Sequence, residues 1–135
     1  MHQILSQKAL EALNKKNFVE AALIEINLVE TSVRGLIRCL AVVRGIDKNK
    51  ARIYWDEPMT RFSDLIKYYE LLGGKVETVK NLSDFNQGRN NLVHKMVTME
   101  NYQELLGKSL ENYSVGRFLD EKLISEIKEL NPIFT

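Results

Sequence analysis

Apolar residues recur at spacings of three and four along most of this chain, which is the pattern of amphipathic helices. The longest stretch has one apolar face that continues to about Arg44, where Gly45 ends the predicted helix. Asn17 is its predicted N-cap, with Glu20 three residues later in the capping-box position. The apolar positions of this helix are Val19, Ala22, Ile26, Val29, Val33, Leu36, Leu40 and Val43.

The rest of the pattern predicts further helices on both sides of this one. Thr60 is the predicted cap of the next helix, which ends at the pair Gly73 and Gly74. No alternation with a period of two is present, so the sequence predicts an all-α fold, an antiparallel bundle of about five helices. The predicted helical segments around the long helix are residues 6–16, 60–72, 76–97, 100–111 and 118–130.

Length and composition narrow the class of protein. The 135 residues are expected to form one domain, residues 1–135. Lys and Arg number 19 against 18 for Asp and Glu, a balance that argues against wrapping duplex nucleic acid but permits a local basic pocket. The single cysteine, Cys39, excludes an intrachain disulfide and a zinc site built from thiolates. We therefore predict no metal and no cofactor.

The N-terminal residues lack the basic region and the long apolar region of a signal peptide. No apolar run approaches the ~20 residues that a bilayer-spanning helix needs. We therefore expect a soluble, cytoplasmic protein without a membrane partner.

A basic and aromatic segment follows the long helix. Lys48, Lys50 and Arg52 precede Tyr54 and Trp55, and such a composition can bind single-stranded RNA by charge and stacking. A surface loop with an aromatic side chain anchored in the core explains the same residues, and we favour that interpretation.

An arginine lies on the apolar face of the helix predicted over residues 76–97. At ~100° per residue, Leu92 and Met96 fall within ~20° of Phe85, and Arg89 falls ~40° from it. Because a guanidinium cannot lose its proton, it needs a carboxylate, a phosphate or a route to water. An arginine that reaches the surface or pairs with a buried acid is the alternative explanation, with Glu20, Glu25 and Glu30 as candidate acids.

The same helix carries a polar row, since Asn86, Asn90 and His94 are spaced four residues apart. Asn90 is therefore placed to orient the His94 ring. Arg89 and His94 lie ~140° apart around the axis, so one helix alone does not bring them side by side. A second copy related by a two-fold axis would bring each arginine closer to both histidines.

These residue types suit RNA cleavage without a metal, in which the 2′-hydroxyl attacks the adjacent phosphate. Histidine titrates near neutral pH and can serve as acid or base, and arginine presents a planar fork that matches phosphate oxygens. The candidate catalytic residues are therefore Arg89, Asn90 and His94. Lys95 and Asn86 are candidate substrate contacts.

Arg89 and Asn90, followed by three further residues and His94, resemble the signature of the HEPN family of small helical proteins. The predicted order of a long second helix, a helix that ends at a glycine turn and then the motif helix is similar to the HEPN architecture. This resemblance implies a metal-independent endoribonuclease that acts on RNA as a homodimer, with the two motifs facing each other across a cleft. It also implies a role as a toxin or a defence component.

An antitoxin is the protein partner that the resemblance implies, either a nucleotidyltransferase or another type. One HEPN subgroup is modified by its nucleotidyltransferase antitoxin on a tyrosine two residues after the histidine. That position is Met96 in this chain, which argues against tyrosine modification.

Two alternatives to the ribonuclease stay open. Some HEPN proteins have lost the catalytic pair and only bind nucleotides or partner proteins, whereas this chain keeps Arg89 and His94. The first alternative is such a catalytically silent binding module. The second is a structural dimerisation bundle without a site, in which Arg89 and His94 are ordinary packing residues. A buried His94 and an Arg89 that is paired with an acid would support it.

Overall fold

The computed structural model describes residues 2–52, 60–98 and 101–130, and this part of the chain is entirely helical. The predicted all-α bundle is thereby confirmed, and none of its helices has the length and apolar composition needed to cross a membrane. Tyr54 and Trp55 of the basic and aromatic segment lie outside the described residues. The helices are α1 (His2–Asn14), α2 (Phe18–Val43), the single-turn α3 (Lys48–Ala51), α4 (Phe62–Leu71), α5 (Val76–Thr98) and α6 (Tyr102–Leu130).

Helix α2 is the centre of the bundle because its apolar face is long and nearly continuous. It packs most extensively against α6, and it also contacts α1 and α4. Helix α5 completes the core with Leu82, Phe85 and Leu92, all at most 1% exposed. The Phe62 and Phe85 rings lie 6.2 Å apart, so the first turn of α4 lies level with the middle of α5.

Helix α6 is continuous where the sequence predicts two helices, over 100–111 and 118–130. The predicted break over 112–117 is wrong, and Gly116 within it lies inside the helix at a point of close packing. A Cβ atom at Gly116 would lie 2.9 Å from Glu25 Cγ and 3.1 Å from the Phe85 ring. The missing side chain lets α2 and α5 approach α6 at this point.

Several helix starts differ from the predicted ones. Helix α1 begins at His2 rather than at residue 6, and the His2 ring lies 2.9 Å from Asp120 of α6. Helix α4 is capped by Arg61 rather than Thr60, because the Arg61 carbonyl accepts the first helical hydrogen bonds. Asn17 is the N-cap of α2 as predicted, although its side chain makes no capping hydrogen bond.

The turn from α4 to α5 needs both of its glycines. Gly73 has a φ of +90°, a conformation that side chains disfavour. A Cβ atom at Gly74 would lie 2.3 Å from the Tyr69 ring. The Tyr69 hydroxyl donates to Glu126 of α6 at 2.5 Å, and Thr78 of α5 donates to the same carboxylate at 2.8 Å. These bonds fix the start of α5 and thereby its orientation.

Candidate nucleic-acid site on helix α5

Three of the predicted site residues line one pocket. Asn86, Arg89 and Asn90 face a polar pocket of about 390 Å³ between α5 and the first turn of α4. The orientation follows from the packing of α5, whose buried Phe85 and Leu92 place this flank beside α4, and Glu30 of α2 also lines the pocket. The other lining residues are Glu30, Thr60, Arg61, Phe62 and Ser63.

The guanidinium of Arg89 has no partner in the part of the chain that the structure describes. The residue is half-buried, and no described side chain or carbonyl makes a hydrogen bond or an ion pair with it. The alternative in which a buried acid holds Arg89 is therefore not met by Glu20, Glu25 or Glu30. A permanent cation in such a setting favours the binding of an anion.

The charge balance of the pocket is positive. Glu30 lines the pocket, but its carboxylate already accepts from Arg34 at 3.2 Å. This leaves Arg61 and Arg89 as the pocket cations without an acidic partner among the described residues. The first turn of α4 adds a smaller favourable contribution, because no side chain caps its free amide groups.

The contribution of Arg61 was not predicted from the sequence. It precedes an amphipathic helix and looks there like an ordinary exposed residue, with no motif to mark it. Only the packing of α4 against α5 brings it to the same pocket as Arg89.

His94 lies outside this pocket and is exposed to solvent. It follows Asn90 by one helical turn on the outer side of α5, ~180° from the buried Phe85. A buried His94 would have supported the dimerisation bundle without a site, and the exposed side chain does not give that support. No hydrogen bond joins Asn90 to His94 in the described structure, so the predicted orienting contact is not formed. Both side chains are exposed, and neither is held by packing.

Lys95 is engaged on the opposite flank of α5. Its ammonium lies 2.9 Å from the Glu104 carboxylate, an ion pair that connects α5 to α6. Lys95 therefore contributes to helix packing in this structure. It shares no pocket with Arg89.

Two valines give the outer side of α5 an apolar character beside the histidine. Val93 is 42% exposed and Val97 is 77% exposed. On the helical wheel they lie ~60–100° from His94, on the side of the Arg89 pocket. This surface is therefore part polar and part apolar, a composition found where chains associate.

No protein-family model matches this chain, and no curated protein or solved structure matches it. Among residues 2–52, 60–98 and 101–130, no three His, Cys, Asp or Glu side chains are arranged to hold a metal ion. The resemblance to HEPN proteins therefore depends on residues 89–94 and on the helical architecture, and membership of that family stays a prediction.

Proposed function

We propose that this chain is a metal-independent endoribonuclease that acts as a symmetric dimer, with Arg89 and His94 as its catalytic residues. The observation that carries the proposal is that Arg89 is half-buried and that its guanidinium has no acidic partner among the described residues. It lines a polar pocket five residues before an exposed histidine. A phosphodiester satisfies the arginine, and the histidine supplies the proton transfers that its cleavage needs.

Each proton transfer in this mechanism has an assigned group. A neutral His94 removes the proton of the 2′-hydroxyl, whose oxygen forms a bond to phosphorus while the bond from phosphorus to the 5′-oxygen breaks. The protonated His94 of the second copy donates a proton to that leaving oxygen. Arg89 stabilises the negative charge that develops on the phosphorane. Asn90 can donate its amide to a phosphate oxygen, and the products are a 2′,3′-cyclic phosphate and a 5′-hydroxyl.

The dimer is supported by the surface around His94. Val93 and Val97 are exposed at 42% and 77%, and a second copy packed on this side would remove them from water. Within one chain Arg89 and His94 lie ~140° apart around the axis of α5. A two-fold axis beside His94 brings two histidines to one phosphate, one for each proton transfer.

The biological role that we propose is that of a toxin or a defence component, which an antitoxin of the nucleotidyltransferase or another type holds in check. This part of the proposal comes from the resemblance to HEPN proteins alone. A catalytically silent module that binds a nucleotide or a partner protein is the second candidate. Catalytic histidines are commonly oriented by a hydrogen bond to one ring nitrogen. No described residue makes such a bond to His94, and this favours the silent module.

The test is incubation of a labelled RNA with purified protein in EDTA. Wild-type protein is expected to give products that end in a 2′,3′-cyclic phosphate. His94→Ala should reduce the cleavage rate by about 10²- to 10⁴-fold, because a proton donor or acceptor is lost. Arg89→Ala should reduce it by about 10²- to 10³-fold, because the developing charge loses its donor.

Lys80→Ala is the matched control, since it removes an exposed cation from the same helix. Its rate should stay within about twofold of wild type, and sedimentation should show all four proteins folded and dimeric. Normal cleavage by the His94→Ala protein would contradict the proposal. Saturable nucleotide binding without cleavage of any RNA by a folded wild-type dimer would favour the silent module.

A further inference from the structure

The Asn86 end of the pocket lies too far from His94 along α5 to hold the phosphate that is cleaved. Eight residues separate Asn86 from His94, which is about 12 Å of helix axis. The contact between the Phe62 and Phe85 rings sets the first turn of α4, and with it Arg61, level with Asn86. An anion held by Arg61 therefore lies about two turns from the histidine.

The composition of the pocket at that level indicates that it binds an anion. Arg61 and Arg89 both line it, and neither has an acidic partner among the described residues. The lining carboxylate of Glu30 is neutralised by Arg34 at 3.2 Å. The Asn86 amide and the Ser63 hydroxyl add hydrogen-bond donors. Arginine forks beside neutral donors match the tetrahedral oxygens of a phosphate group.

We propose that the pocket formed by Arg61, Asn86 and Arg89 binds a second phosphate group of the RNA, separate from the one that is cleaved at His94. Arg61 is then a positioning residue, which fixes where along the strand the scissile phosphate meets the histidine. Arg89 lies between the two positions and borders both. The inference rests on the proposed function for the identity of the strand, but the binding itself needs no cleavage.

The experiment measures RNA affinity in the His94→Ala background, so that cleavage cannot interfere. Short single-stranded oligonucleotides with a 3′ fluorophore, carrying either a 5′-hydroxyl or a 5′-phosphate, are titrated over a series of salt concentrations. Adding Arg61→Ala should weaken binding about tenfold at low salt, the loss expected for charge-assisted hydrogen bonds. It should also reduce the slope of log affinity against log salt by about 0.7, the value for one phosphate contact on a single strand. Arg61→Lys should restore the slope, because it restores the charge.

Lys67→Ala is the control, because it removes an exposed cation from the same helix away from the pocket. Its salt slope should equal that of the parent protein. An unchanged slope in a folded Arg61→Ala protein would overturn the inference. A loss with both oligonucleotides identifies an internal phosphodiester as the ligand, and a loss confined to the 5′-phosphorylated one identifies a terminal phosphate.

The two proposals fail separately. If wild-type protein leaves RNA intact while binding depends on Arg61, the phosphate pocket stands and the ribonuclease does not. If wild-type protein cleaves RNA and Arg61→Ala changes neither the salt slope nor the KM, the ribonuclease stands and the second phosphate does not. Where both hold, Arg61→Ala should raise the KM and leave kcat within about twofold, since the bond-breaking groups are untouched.

Discussion

Helix α5 takes part in two polar clusters that differ in how far their groups are partnered. Near its start, Thr78 donates to the buried carboxylate of Glu126, which also accepts from Tyr69. Eleven residues later, Arg89 extends into a pocket with no hydrogen bond or ion pair in the described chain. Both clusters lie between α5 and a neighbouring helix, yet only the first completes its own hydrogen bonds.

The difference separates polar groups that stabilise the fold from those that are available to a ligand. A buried carboxylate that accepts hydrogen bonds from its neighbours stabilises the fold and favours one arrangement of the helices. Burial, followed by the hydrogen bond to Glu126, raises the pKa of Tyr69 to about 12, so that its hydroxyl keeps donating across the ordinary pH range. A half-buried cation without a partner adds nothing comparable to the fold, because no described residue compensates the cost of its desolvation.

The largest effect on stability is expected from Glu126→Ala. The substitution leaves the Tyr69 and Thr78 hydroxyls buried without an acceptor, at a cost of about 1–3 kcal/mol each. We expect the free energy of unfolding to fall by about 2–6 kcal/mol and the Tm by roughly 6 °C or more. Thermal and urea unfolding measured by circular dichroism check this.

Two variants sharpen the contrast. Glu129→Ala, three residues further along α6, removes only an exposed ion pair with Lys75 and should change the free energy of unfolding by less than about 1 kcal/mol. Arg89→Ala should leave the Tm near that of wild type while it removes function. A Tm loss with Arg89→Ala as large as that with Glu126→Ala would mean that Arg89 is structural after all.

Helical periodicity identifies the residues of the site that lie on one helix. It does not identify residues that a neighbouring helix contributes. Asn86, Arg89 and Asn90 follow from helical spacing, which is a local property of the chain. Arg61 joins them only through the packing of α4 on α5, and no local pattern encodes that packing. Gly116 shows the same limit, because its close approach to Glu25 and Phe85 depends on the packing of three helices.

A third polar cluster, between α1, α2 and α6, is incompletely partnered and buried. Glu25 is 1% exposed, and its Oε2 atom has no hydrogen-bond partner in the described structure. The neighbouring carboxylate of Asp120 accepts from Ser32 and lies 2.9 Å from the His2 ring. Burial, then repulsion from Asp120, raises the pKa of Glu25 to about 7, against partial compensation by Arg117.

This raised pKa gives the stability of the protein a definite pH dependence. The ordinary pKa of such a carboxyl is 4.5, so between that value and about 7 the folded chain keeps a proton that the unfolded chain has released. The Glu25 contribution is therefore complete below pH 4.5 and is lost progressively as the pH rises to about 7. Above that range the loss levels off, because both states are ionised.

Glu25→Gln tests this contribution, because glutamine has the same shape and stays neutral. We expect it to stabilise the protein at pH 8 by an amount on the order of 1–3 kcal/mol, and to change little at pH 4.5. Urea unfolding of both proteins at both pH values checks this, because the difference between them at each pH is the effect of the Glu25 carboxyl group. Equal effects at the two pH values would show that Glu25 is not the titrating group.

The smallest effect is expected from Lys95→Ala, although Lys95 is adjacent to His94. Its ammonium is already paired with Glu104 at 2.9 Å, in a partly exposed ion pair that is worth less than about 1 kcal/mol. RNA must displace Glu104 before it gains the lysine, whereas Arg89 has no such competitor among the described residues. Cleavage of the labelled RNA by Lys95→Ala should therefore stay within about threefold of wild type, against the 10²-fold or greater loss with Arg89→Ala.

Glu104→Ala gives the complementary measurement. If Glu104→Ala speeds cleavage and Lys95→Ala slows it tenfold, Lys95 exchanges its ion pair with Glu104 for a contact with phosphate. In that case, the presence of an ion-pair partner in the protein without RNA would not tell which charged side chains of α5 stabilise the fold and which bind RNA.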